Sequence, residues 1–127
     1  MQVAKVDFVG IPTQDIERAI EFYVGTLGLR QDSHRPAEFW VGEQCYGLWK
    51  PEWAGRAFSP SETVLALHVD DVAAARAELE AKGIEFDGDI IDTSVCHMAL
   101  FRDPDGNALM LHHRYKPYEN GRPDAAS

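Results

Sequence analysis

Two places in the chain combine residue types that could do chemistry, and two further histidines stand alone. The stretch DPDGNALMLHHRY ends in His112, His113 and Arg114, and Cys96 stands beside His97 in CHMALF. His68 closes VLALH, and His34 lies in a polar segment without further signal. Imidazoles of this kind can ligate a metal or move a proton. Side chains alternate along a strand, however, so His112 and Arg114 share the face of Met110 while His113 and Tyr115 turn the other way. Two adjacent histidines on one straight strand therefore cannot chelate one ion. The same alternation separates Cys96 from His97 and makes a thiol–imidazole nucleophile pair a poor geometry. Cysteine is commonly a small buried hydrophobe, and that is the reading adopted for Cys96.

These residues need a scaffold of 127 residues, enough for one domain with a core. The formal net charge of −9 disfavours nucleic acid and anionic membrane as partners and tolerates a cationic or neutral small ligand. No apolar run reaches the length of a membrane span, and the first residues lack a secretory pattern. With only Cys45 and Cys96, reduced buried thiols in a cytoplasmic protein are expected rather than a disulfide.

The chain repeats itself. FVGIPTQDIERAIEFYVGTLGLR from Phe8 aligns with VLALHVDDVAAARAELEAKGIEF from Val64, with an aspartate (Asp15, Asp71) seven positions after the first strand residue. Apolar residues then recur at helical spacing: Ile16, Ala19, Ile20 and Tyr23 in one copy, Val72, Ala75 and Leu79 in the other. Each aspartate can cap a helix, and Gly28 and Gly83 can end it in a left-handed turn, the second copy being one residue shorter. Strand candidates follow each helix: RQDSH, AEFWV and CYGLWK, then IEFDGDI, CHMALF and NALMLHH. VGEQCY and DPDGN serve as turns, with Pro104 presetting the second and Gly106 supplying positive φ. The pattern predicts an α+β fold of two βαβββ modules in a single domain over 1–116. Module one spans 4–50, a linker 51–62, module two 63–114, and a polar tail 117–127. The charged helix positions Glu17, Arg18, Glu21, Arg76, Glu78 and Glu80 read as solvated surface.

TQDIERAIEFYVGTLGLR and FRDPDGNALML, in this order and with the second helix VDDVAAARAELEAKG between them, resemble the vicinal oxygen chelate superfamily over residues 4–114. That group includes glyoxalase I, extradiol dioxygenases, fosfomycin-resistance enzymes and bleomycin-resistance proteins. The resemblance implies two modules whose mixed sheets curl into a half-open barrel, a homodimer, and a small-molecule cavity inside each curl. It also implies metal ligands on the first and last strand of each module. The matching positions here are Phe8, Gly47, Val64 and Met110, where a divalent ion would need about three N, O or thiolate donors. The family's usual metal is therefore not expected, nor chemistry that depends on it.

Family parity turns Cys96, Met98 and Leu100 toward the cavity and His97, Ala99 and Phe101 toward the helix. His112 with Arg114 reads either as a polar handle for a ligand or as a solvated strand end paired to an acid such as Glu62. His68 and His97 read as structural histidines, His97 buried and bonded to backbone. Of the clustered aromatics Phe39, Trp40, Tyr46, Trp49 and Trp53, Trp49 shares its face with Gly47 and is the expected stacking plate. The expected binding set is Phe8, Trp49, Val64, Met98, Met110, His112 and Arg114, with no metal and no cofactor, around a largely apolar or aromatic molecule. The rival reading is a lyase, isomerase or dioxygenase of the same superfamily, using His112 as base or a relocated metal.

Overall fold

The computed structural model describes residues 1–117, so the expected tail at 117–127 lies outside the described residues except for Pro117. The elements run β1 (Val9–Pro12), α1 (Ile16–Ile20) with a π-helical continuation Glu21–Thr26, β2 (Arg30–Gln31), β3 (Glu38–Val41) and β4 (Gln44–Trp49). A 3-10 turn, Pro51–Ala54, precedes β5 (Leu65–His68), α2 (Val72–Ala81), β6 (Phe86–Asp92), β7 (Cys96–Arg102) and β8 (Ala108–Arg114). The strands form two mixed sheets of the same order, β1-β4-β3-β2 and β5-β8-β7-β6, with the first strand of each parallel to the last. The α+β class and both βαβββ modules are therefore present.

The chain gathers into two compact units. One comprises Met1–Val64 with Arg102–Ala108; the other comprises Leu65–Phe101 and the chain from Leu109 onward. In the first, Tyr23 stacks on Phe39 at 4.8 Å between ring centres, and Phe39 on Tyr46 at 5.5 Å. Ile11 and Leu48, paired across β1 and β4, complete this buried face. In the second, Val72 and Leu79 of α2 are buried, as are Ala99 and Phe101 of β7 and Leu109 and Leu111 of β8. Burying side chains of this size contributes roughly 1.5–3 kcal/mol each.

Local chemistry explains the helices. Asp15 and Asp71 have extended backbones, and their carboxylates accept the amides of Arg18 and Ala74, satisfying donors that the first turn leaves over. The first helix carries one residue more than the second before its glycine, and the π-helical turn absorbs it: Leu27 N–H bonds the carbonyl of Phe22, five residues back. Both Phe22 and Tyr23 are buried on this turn. Gly83 ends α2 at φ +91° and Gly28 follows the π turn at φ +72°.

Three local expectations are corrected. RQDSH pairs only through Arg30–Gln31, because the carboxylate of Asp32 folds the chain back by accepting the amides of His34 and Arg35. Arg18 is no free surface charge: it pairs with the buried Asp105 at 2.9 Å. Arg76, expected on solvated surface, lies with its guanidinium 4.9 Å from the Phe86 ring centre.

Candidate functional site

The first sheet has one face against the core and one open. Register puts Gly10, Gly47 and Glu38 in one row across β1, β4 and β3, with Cys45 opposite Trp40 in the next row and Trp49 beyond. Two glycines in central strand positions are costly unless something needs the space. Here aromatic rings take it. A β-carbon on Gly10 would stand 3.0 Å from Nε1 of Trp49, and one on Gly47 would stand 3.4 Å from the ring of Phe8. Phe8 and Trp49, both expected in the site, are thus brought together on one open face, Phe8 with 60% of its surface exposed. Glu38 stands at the end of the glycine row. Its Oε1 accepts the Cys45 thiol at 3.5 Å, and burial, reinforced by that carboxylate, pushes the thiol's pKa up. Val64 is exposed and lies just before β5.

In the second sheet, register aligns Ala66 with Met110 and His68 with His112, and Ile91 with Met98. The neighbours Leu109 and Leu111 are buried on the opposite face. The predicted alternation holds, so Met98, Met110 and His112 lie away from the leucine face. Partial burial, then the nearby His68, His113 and Arg114, hold the His112 pKa below the usual imidazole value and favour its neutral form. Arg114 donates to the carbonyl of Pro117 at 3.3 Å. Both Glu62 oxygens accept from Arg102, at 3.0 and 3.2 Å.

One of the remaining histidines, His97, differs from expectation. His97 is half-exposed, its Nε2 is 3.4 Å from Asp92, and its ring lies 4.8 Å from that of Tyr115. The imidazole bonded to backbone is instead His113, whose Nδ1 meets the Val69 carbonyl at 3.1 Å. His68 is exposed beside Asp70 at 3.5 Å. His97, His113 and Tyr115 line an open cleft of about 480 Å³ at the start of α2, on the face opposite Met110.

Sequence reasoning missed what the DPDGN turn does. Asp103, Asp105 and Asn107 are all buried within the first unit. Tyr23 donates its hydroxyl to Asp103 at 2.6 Å, and burial followed by that carboxylate drives the phenol pKa far upward. Asp105 accepts Thr13 Oγ1 at 2.5 Å, the Gln14 amide at 2.8 Å and Arg18 at 2.9 Å. Asn107 donates to the Pro12 carbonyl at 2.8 Å and to Asp103 at 2.7 Å. The turn is a polar latch on the end of β1, and its only sequence trace was an excess of acids for a simple turn.

The donor chemistry bears on metal. The side chains of Phe8, Val64 and Met110, with Gly47, offer a single thioether, which does not fit a divalent ion that prefers N, O or thiolate ligands. Among the described residues no group of three or more His, Cys, Asp or Glu stands together as a ligand set.

A family model described as Glyoxalase/Bleomycin resistance protein/Dioxygenase superfamily matches residues 5–111. The chain belongs to this superfamily. No curated protein matches it. Solved structures place its fold among glyoxalase-family proteins. A glyoxalase/bleomycin resistance protein/dioxygenase from Nocardioides aligns at TM-score 0.74 and 23% identity over 98% of this chain and 92% of that one. TnmS3, an antibiotic binding protein from Streptomyces sp. CB03234, aligns at TM-score 0.73 and 28% identity over 90% and 98%. A lactoylglutathione lyase from Agrobacterium tumefaciens aligns at TM-score 0.71 and 20% identity over 87% and 94%. No helix among the described residues is long and apolar enough to cross a membrane.

Proposed function

We propose that this superfamily member binds a small, largely apolar or aromatic molecule without the help of a metal ion. The observation that carries the reading is the open face of the first sheet, where Phe8 and Trp49 lie on glycines with ring surface left for a guest. Sites for small molecules are mostly apolar with a few placed polar groups, and this face has that composition. Met98, Met110 and His112 share one face of the second sheet, which we propose as an apolar surface of the same kind within the second unit. The likeness to an antibiotic binding protein at 28% identity agrees with a binder.

Titration with a naphthalene probe, followed by tryptophan fluorescence in metal-free buffer, tests the proposal. Saturable quenching that weakens up to about tenfold in Trp49→Ala, as loss of about 0.5–1.5 kcal/mol of ring stacking predicts, supports it. Quenching unaffected by that change, or none at all, refutes it. The enzyme reading draws on the neutral His112, which suits a general base, and would take over if the protein showed a turnover that His112→Ala abolished.

A further inference from the structure

We infer that the molecule held on the first sheet's open face carries a positively charged nitrogen, and that Glu38 is the residue selecting for it. The inference rests on the binding reading above and deepens it. Gly10, Pro12, Trp40, Gly47 and Trp49 lie on this face with Phe8 just before β1, and it carries two carboxylates: Glu38, and Asp32, whose oxygens are already taken by Trp40 Nε1 and by the amides of His34 and Arg35. Register puts Glu38 directly across from Gly47, and the methylene of Glu38 would meet a β-carbon there at 4.0 Å, beside the ring of Phe8 at 3.4 Å. The acid therefore borders the aromatic floor.

Its side chain keeps 32% of its surface exposed. One oxygen is positioned by the Cys45 thiol at 3.5 Å, a weak donor. Among the described residues the other oxygen forms an ion pair with Arg35 Nε at 3.7 Å, too long for a hydrogen bond, on an arginine side chain that is 72% exposed. A carboxylate held by one weak donor and one long, exposed ion pair keeps acceptor capacity, and a ligand cation would both pair with it and lie over aromatic faces that attract positive charge. The same face already does this with its own side chain: the Arg30 guanidinium lies 5.8 Å from the Trp40 ring centre. The net charge of −9 draws a cation in the same direction.

Three probes of one shape separate the possibilities: 2-naphthylmethylammonium, 2-naphthylmethanol and 2-naphthoate, titrated by tryptophan fluorescence against the full chain, Glu38→Gln and Trp49→Ala. The expected order in the unaltered protein is ammonium over alcohol by about tenfold, with naphthoate weakest. Glu38→Gln should bring the ammonium down to the level of the alcohol and leave the alcohol unchanged, while Trp49→Ala weakens both. Melting curves confirm that each variant is folded. Equal binding of all three probes, or an ammonium preference that survives Glu38→Gln, overturns the role of Glu38 and leaves the binding reading standing. Failure of every probe to bind overturns the binding reading and this inference with it.

Discussion

At the scale of single residues, the firmest chemistry lies in the latch, away from the proposed site. Two carboxylates buried in the first unit are tolerated because each is surrounded by donors: Tyr23, Asn107 and backbone amides around Asp103, and Thr13, Arg18 and the Gln14 amide around Asp105. Removing one donor leaves an acceptor short in a place water does not reach. Tyr23→Phe should cost about 1.5–3 kcal/mol, the usual range for a bond to a charged group, seen as a lower denaturant midpoint at unchanged slope. A change below about 0.5 kcal/mol would mean that the hydroxyl contributes little. The histidines teach a different lesson. Alternation gave their faces correctly, yet which imidazole meets backbone depended on where the chain leaves β5 at Val69, and that favoured His113 over His97.

Elements place these side chains by small, specific devices. The π-helical turn takes up the extra residue of the first repeat, so the two modules keep the same strand order despite unequal helices. Gly10 and Gly47 let aromatic rings lie close against β1 and β4. Adding a methyl group at position 10 puts carbon 3.0 Å from the Trp49 indole, so the ring must move. Gly10→Ala should therefore shift tryptophan emission and weaken naphthalene binding several-fold, while the melting temperature moves by only a few degrees. Emission and affinity identical to the parent would show that Trp49 does not lie over Gly10 in solution. The repeat, the caps and the turns were all legible in the residues, because each depends on chemistry within a few positions. The short β2 was not, since Asp32 and two nearby amides overruled the extended reading of RQDSH.

For the whole molecule, the superfamily resemblance implies a homodimer, which we carry forward as a prediction. Sedimentation equilibrium at micromolar concentration should return twice the 14.2 kDa chain mass, and a monomer at all accessible concentrations would refute it. The strongly negative chain should be least soluble near its sequence pI of about 4.9, so such work belongs well above that pH.

The sequence by itself determined the two modules, their helix caps, the alternation of faces, and the absence of suitable donors at the superfamily's ligand positions. The modules, caps and faces follow from periodicity and short-range side-chain chemistry; the ligand positions follow from the superfamily resemblance. Only the tertiary structure decided that DPDGN is a buried latch and that Arg18 serves it. It alone seated Phe8 and Trp49 on glycines and set Glu38 beside them. Those outcomes join residues far apart in the chain, as with Thr13 and Asp105, 92 positions apart. Their pairing is fixed by burial and strand register, and neither quantity exists until the chain has folded.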